Sequence, residues 1–434
     1  MPAAPTPTED GPPRPPASHA PTPPEGGRPR PSVAITDDTG RPGTSALRKE
    51  SSGAPKLLAR LRGPLDERAA QALERRLVAR APESPWVCLA DNDYMGLAHD
   101  AEVVTAGKTA LDRWGASSSA SPLITGYTSE HAALERELGD WCGFGHALVW
   151  NTGFAANAAV LGTLPKPGDL VLADRLIHAS MISGLLASGA RLQRYPHLDL
   201  AKLEEMLKKH RGHEGVVWVV TESVFSMDGD YPDLKKLTAL KAEFGFVLVV
   251  DEAHATGWHG PSGAGLLERE GVAASADIVV GTLGKGLGAF GAYTLFHDEL
   301  FRRHLLNFAP EFVYSTYLPP ACAASARAAV GRVKALHAGG LDTGALSRRW
   351  RDAMREVVPG TPEGDSPIIP IPLGDASRTL RTAEKLLAAG WKVGAVRPPT
   401  VPEGGARLRV SLRLGLDDNA PDRFAGALKS ALAE

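Results

Sequence analysis

Between residues 147 and 281 the chain alternates short, unbroken apolar runs with longer segments of helical spacing. Ala147–Trp150, Leu170–Ala173, Gly215–Thr221, Phe246–Val250 and Ile278–Gly281 are runs rich in Val, Leu and Ile that do not alternate with polar residues. Each predicts a strand buried on both faces, as in a mostly parallel sheet. Between them Ala155–Leu164, Ala179–Ser188, Leu200–His210 and Asp233–Phe244 predict the crossover helices that parallel strands require. Upstream, Leu57–Ala79, Ala101–Trp114 and His131–Trp141 have helical spacing. Downstream, a long helix from Pro320 through Leu336 precedes strand candidates Ile368–Pro372, Lys392–Ala395 and Arg407–Leu412. The pattern predicts an α/β plan: an arm over residues 56–100, a large domain over 101–325, and a smaller C-terminal α+β domain over 326–434. No internal repeat interrupts it.

The first 55 residues are different. They hold 14 of the 35 prolines, with Gly, Ser, Thr and Ala and almost no aromatic or branched apolar residues. Such a segment cannot bury enough surface to offset its ordering entropy, so it reads as a disordered tail. The rest of the composition excludes more than it assigns. With 43% hydrophobic and 23% charged residues and a net charge of -2, nothing points to nucleic acid or an anionic membrane. No apolar run approaches the ~20 residues that span a bilayer, and the N-terminus lacks a hydrophobic signal core. Cys88, Cys142 and Cys322 lie far apart without CxxC spacing, which argues against a disulfide framework or a metal site and for the cytoplasm.

Two strand ends carry the first chemistry. The run VLVVDEAHATG (247–257) leads into Asp251 at the carboxyl end of a buried strand, where α/β folds place ligands, with His254 on the following loop. Alone, Asp251 could equally cap the next helix. In GTLGKGLG (281–288) a second strand ends at Thr282, and Lys285 stands between Gly284 and Gly286, 34 residues after Asp251. The pattern GxxxxGK[ST] of a phosphate-binding P-loop is not met. A Gly-flanked lysine can be approached by a planar ligand, and its amine can form a Schiff base with an aldehyde. Beside it, a strand-end aspartate can hold a ring nitrogen protonated. That pair is what a pyridoxal-phosphate site requires.

The motif series NDYMGLA (92–98), ITGYTSEH (124–131), NTGFAAN (151–157), DRLIHAS (174–180), TESVFSMDGD (221–230), DEAHATG (251–257), GTLGKGLG (281–288), YSTYLPP (314–320) and VRPPTVPEGGARLRVSL (396–412) resembles the α-oxoamine synthase family. The resemblance runs from about Ala90 to the C-terminus. It implies the fold-type I architecture of pyridoxal-phosphate-dependent transferases: a large domain with a mostly parallel mixed sheet flanked by helices, plus the small C-terminal domain. By the same resemblance Lys285 carries pyridoxal 5′-phosphate, Asp251 meets the ring nitrogen, and His178 stacks on the ring. His254 and Ser226 contact the phenolic oxygen. Gly153 and Phe154, at a helix N-terminus suited to an anion, hold the phosphate with Thr282. Ser315 and Thr316 match a contact made across a homodimer interface, so shared active sites are implied. Arg409 matches the substrate carboxylate clamp, a role for which a guanidinium is better shaped than an ammonium; Arg407 shares its strand face. Asn92 matches a further substrate contact.

The RPPTVP segment (397–402) inclines the reading to the branch that condenses L-alanine with pimeloyl-CoA or a pimeloyl-carrier protein, losing CO2. One departure leaves the acyl group open. A glycine-rich stretch of the family is replaced here by GASSSASPLITG (115–126), which exchanges glycine freedom for hydroxyls and adds Pro122. Glycine with acetyl-CoA, serine with a long-chain acyl group, or another amino-ketone synthesis would suit the same motifs. A non-catalytic relative would be expected to have lost Lys285.

Overall fold

A computed structural model describes residues 53–70, 73–75 and 77–433. The tail read over residues 1–55 lies outside the described residues as far as residue 52. The chain divides at Leu77 into two units. In the first, one helix spans Gly53–Ala70 and contains Pro64. It starts four residues before the helix expected from Leu57 and stops at Ala70, not Ala79. Described residues from 73 onward are not helical there.

The second unit contains two sheets. Its strands, in chain order, are β1 (Val87–Leu89), β2 (His146–Trp150), β3 (Leu170–Asp174), β4 (Arg191–Tyr195), β5 (Val217–Glu222), β6 (Val247–Asp251), β7 (Ile278–Thr282), β8 (Ala292–Phe296), β9 (Ile368–Gly374), β10 (Trp391–Val396) and β11 (Ala406–Ser411). Seven of them form the large sheet in the order β2-β8-β7-β6-β5-β3-β4. Only β8 runs against its neighbours; the other adjacent pairs are parallel. Helices cover both faces, so the inner strands are buried throughout, as their continuous apolar runs predict.

Two strands of the large sheet were not visible in the hydrophobic pattern, for opposite reasons. β4 (RLQRY) is an edge strand whose exposed arginines discourage pairing with another chain. β8 is buried, but it follows β7 as a hairpin partner through a glycine-rich connection rather than through a helix. Its Thr294 hydroxyl accepts a hydrogen bond from the Trp150 indole N–H at 2.9 Å, which satisfies that ring's one polar atom in the core.

The smaller sheet has the order β1-β10-β11-β9. Its outer strand β1 comes from the span read as an arm and pairs parallel with β10. Helices Thr343–Arg355, Ala376–Ala388 and Ala420–Ala433 accompany this sheet. Asp342 and Asp375 cap the first two by accepting first-turn N–H groups. Trp350 and Trp391 meet Phe424 with ring centroids 5.9 and 5.4 Å apart. The helix Pro320–Ala338 crosses the expected boundary at 325 without a break.

At the end of β6, Asp251 and Glu252 point to opposite sides of the sheet, as strand alternation requires. Glu252 is buried, and its Oε1 accepts the backbone N–H groups of Leu266 and Leu267 at 3.1 Å each. Burial pushes its pKa up to about 7 against the pull of those donors. The folded carboxyl therefore holds its proton more tightly than the unfolded one. The associated stability is complete below the ordinary value of 4.5 and is lost as pH rises through about 7. Between pH 5 and pH 8, urea midpoints should fall further for the wild type than for Glu252→Gln; parallel slopes would refute this.

Candidate active site

The carboxyl ends of β5, β6 and β7 deliver Glu222, Asp251 and Thr282 to one place, because parallel strands end together. Lys285 follows on the β7–β8 connection, where Gly288 N–H donates to the Lys285 carbonyl at 2.8 Å. A Cβ at Gly286 would lie 2.3 Å from the Thr256 carbonyl oxygen, so only glycine lets the loop pack this closely against the segment after β6.

Lys285 Nζ lies 2.9 Å from His254 Nε2, and His254 Nδ1 lies 2.7 Å from the Tyr94 hydroxyl. Tyr94 in turn donates to Asn92 Oδ1 at 3.0 Å. An ammonium can only donate, so His254 Nε2 is the acceptor and Nδ1 carries the proton given to Tyr94. Burial, with Lys285 and Arg409 nearby, holds the His254 pKa well below its ordinary value, so the ring is neutral. Burial likewise lowers the Lys285 pKa, with Asp251 and Glu222 pulling the other way.

Arg409 is buried on β11 and reaches the same network from the smaller sheet. Its Nε donates to the Ser226 carbonyl at 2.7 Å and its Nη1 to Ser411 Oγ at 2.7 Å. Its Nη2 lies 3.2 Å from Asn92 Oδ1 and 3.4 Å from the Tyr94 hydroxyl. Arg407, on the same strand, is instead ion-paired with Asp228.

A second chain of hydrogen bonds lies behind the first. Asp251 Oδ2 accepts from Asn157 Nδ2 at 2.7 Å, while Oδ1 accepts the Ala253 N–H at 2.8 Å. The same Asn157 amide donates to Ser180 Oγ, which lies 2.8 Å from His178 Nδ1. His178 caps the helix Ala179–Ser188; its Nδ1 also accepts the Ser180 N–H at 3.2 Å. Burial lowers its pKa, so the ring is neutral with its proton on Nε2.

A third group forms the N-terminus of the helix Gly153–Thr163. Thr152 accepts the Ala155 N–H, leaving the amides of Gly153 and Phe154 without intrahelical acceptors. A Cβ at Gly153 would lie 2.7 Å from Thr282 Cγ2, so the hydroxyl-bearing side chain and this helix end are neighbours. Thr282 Oγ1 is buried and has no hydrogen-bond partner. Free amides, a helix dipole and an orphaned hydroxyl are an anion's complement. With a lysine amine, a strand-end carboxylate and an imidazole close by, the set fits pyridoxal 5′-phosphate.

The structure thus gathers Lys285, Asp251, His178, His254, Thr282, Gly153, Asn92 and Arg409. Ser226 contributes its backbone carbonyl; no hydrogen bond of its hydroxyl is seen. Phe154 is half exposed. Thr316 reaches the region through its backbone carbonyl, which accepts from Asn151 Nδ2 at 2.8 Å; among the described residues no hydrogen bond brings Ser315 to the site. Sequence reasoning missed Tyr94, Asn157 and Glu222. All three lay inside quoted motifs, and Glu222 also closes an apolar run as its lone acid. Burial and the Asp251 charge raise the Glu222 pKa well above the carboxylate range.

The serine-rich segment is bound in place. Ser119 has φ 59°, the left-handed region that favours glycine. Ser118 Oγ donates to the Leu318 carbonyl, and Tyr317 N–H donates to the Ala120 carbonyl at 2.9 Å.

The aminotransferase class I and II family matches residues 84–428. The 8-amino-7-oxononanoate synthase of Geobacter sulfurreducens is 43% identical over 358 residues, 81% of this chain and 90% of the relative. That of Anaeromyxobacter dehalogenans is 42% identical, covering 80% and 87%. Among solved structures, the serine palmitoyltransferase of S. paucimobilis with a bound PLP–myriocin aldimine superposes with TM-score 0.80 at 26% identity, covering 87% of this chain and 98% of that one. The 8-amino-7-oxononanoate synthase of Francisella tularensis does so with TM-score 0.67 at 28% identity, covering 80% and 97%.

Tyr94 accepts from His254 and donates to Asn92 in a dry environment. Tyr94→Phe should therefore cost about 1–3 kcal/mol of folding stability, read as a lower urea midpoint; an unchanged midpoint would mean the hydroxyl is not needed there.

Proposed function

The chain belongs to the α-oxoamine synthases of the aminotransferase class I and II family, and on that premise we propose that it is a pyridoxal-phosphate-dependent acyltransferase making 8-amino-7-oxononanoate. L-alanine and a pimeloyl thioester, of coenzyme A or a carrier protein, give the amino ketone, CO2 and free thiol, a step of biotin synthesis. Two relatives that share more than 40% of their residues with nearly the whole folded chain support this reaction. The observation that carries the site assignment is Lys285 against neutral His254, with Arg409 entering from the other sheet.

When bound, pyridoxal 5′-phosphate supplies the conjugated sink for the electron pair left when the substrate loses its α-proton. The chain's residues do the rest. Lys285 would hold the cofactor and is the amine placed to move the substrate's α-proton; burial shifts it towards the unprotonated form that can accept one. Asp251, oriented by Asn157, holds the ring nitrogen protonated. His178 would offer its imidazole to the ring, and His254 and Ser226 would face its phenolic oxygen. The amides of Gly153 and Phe154 and the Thr282 hydroxyl bind the phosphate. Arg409 and Asn92 fix the substrate carboxylate. Ser315 and Thr316 act in the partner's site of a homodimer. In this reading the large domain and the small C-terminal domain are joined by the helix Pro320–Ala338, and the protein works in the cytoplasm. No helix among the described residues is long and apolar enough to cross a membrane.

The bound serine segment favours a second reading, in which the fold and cofactor stand but a different amino acid or acyl group is used. Purified protein should absorb in the visible and change spectrum with L-alanine. It should release thiol only with a pimeloyl thioester; a response to glycine or serine, or release with another donor, would favour the second reading. Lys285→Ala should abolish turnover while retaining the fold. Arg409→Lys removes the planar fork and should raise the KM for the amino acid roughly 10–100-fold, measured at saturating thioester; an unaltered KM would remove Arg409 from the carboxylate.

A further inference from the structure

Away from the groups that face the reacting centre, a part-buried ion cluster joins two of the loops that carry them. His197, just after β4, lies between two carboxylates. Its Nδ1 is 2.9 Å from Asp174 Oδ1, and its Nε2 is 3.1 Å from Asp230 Oδ2. A neutral imidazole has one N–H and ionised carboxylates only accept, so both contacts are hydrogen bonds only for the imidazolium. The Phe225 ring meets the imidazole edge-on, with centroids 4.4 Å apart.

Asp174 is fully committed. Its Oδ1 also accepts the Leu176 N–H at 2.8 Å, and its Oδ2 accepts the Leu198 N–H at 2.8 Å. Leu198 adopts φ 56°, a left-handed conformation that disfavours leucine. The strained residue is thus the one whose N–H reaches Asp174 beside the His197 ring. Strain of this kind persists only where surrounding interactions over-determine it.

The two carboxylates belong to different loops. Asp174 opens the turn that leads to His178. Asp230 closes the turn from Phe225: Phe225 N–H donates to the Asp230 carbonyl at 2.9 Å, and Gly229 N–H to the Phe225 carbonyl at 2.8 Å. That turn carries Ser226, whose carbonyl receives Arg409 Nε. We propose that His197 is a positioning residue, a cationic staple that sets the separation of the His178 loop from the Ser226 turn and, through Ser226, the orientation of the Arg409 guanidinium. Sequence position gives no hint of this, since His197 lies outside every motif quoted above.

The charge state agrees. Burial opposes protonation, but the two carboxylates outweigh it and hold His197 up at about 9. Asp174 and Asp230, with the Tyr195 phenol and the Glu222 carboxyl, both of which feel Asp174, are the titratable groups placed against this cluster. The staple is therefore intact below the ordinary imidazole value and is lost as pH passes through about 9.

The inference rests on Arg409 holding the substrate carboxylate, and two arms keep the two ideas apart. His197→Ala and Asp230→Asn are compared with the wild type; Asp230 is partly exposed, so the second change leaves the core intact. In protein without cofactor, backbone hydrogen exchange should accelerate at Leu176, Leu198 and Phe225–Gly229 in both variants. In the loaded enzyme the KM for L-alanine should rise roughly 10-fold while kcat changes far less, the signature of lost substrate binding. Unchanged exchange in the 225–229 turn, or an unchanged KM with only a lower melting temperature, would overturn the staple. A wild type that does not respond to alanine would sink the functional reading instead, and the exchange arm would still decide the role of His197.

Discussion

Arg409 is buried and Lys285 is part-buried in one hydrogen-bonded network, and cations withdrawn from water must be answered by the protein or lose their charge. The parallel sheet supplies the answer, because β5 and β6 end side by side and bring Glu222 and Asp251 into register. Two adjacent carboxylates cannot both ionise cheaply, and burial makes Glu222 the one that stays neutral. Asp251 beside it is held in place by hydrogen bonds from Asn157 and the Ala253 amide. His254 then separates the lysine from Tyr94 and Arg409 as a neutral ring that accepts on one side and donates on the other. The consequence is an amine poised to exchange a proton, set among groups whose own charges are fixed.

Much of this was written in the chain. The buried strands of the large sheet are apolar runs because both faces are covered, so their ends locate Asp251 and Thr282 by pattern alone. The glycines around Lys285 announce a close approach, and the structure supplies its object, the Thr256 carbonyl. What stayed hidden depends on contacts distant in sequence. Tyr94 meets His254 across 160 positions, and Arg409 meets Asn92 across 317. No local spacing encodes such meetings. The choice of Arg409 over Arg407 came from the family resemblance, and the structure pairs Arg407 with Asp228. β4 and β8 escaped because one is a charged edge and the other a hairpin return, and neither has the signature of a crossover strand.

The serine-rich segment illustrates how a position can keep a backbone geometry while changing its chemistry. Ser119 retains a left-handed conformation that glycine would adopt freely, and hydrogen bonds to residues 317 and 318 hold its neighbours. Loops near a pocket mouth commonly vary between relatives while the scaffold beneath them does not. Here the variation has been absorbed by anchoring the loop to the segment that also carries Ser315 and Thr316.

The hairpin between β7 and β8 has a different implication. The loops that carry Gly153, His178, Ser226 and His254 leave the sheet, run through a helix and return, whereas the lysine lies between two strands hydrogen-bonded to each other. Such a connection closes on itself at small entropic cost, and its register is set locally. Insertions elsewhere can reshape what enters the pocket without shifting the amine. The reactive nitrogen is in effect the fixed origin of the site, and the remaining loops are free coordinates that descent can adjust around it.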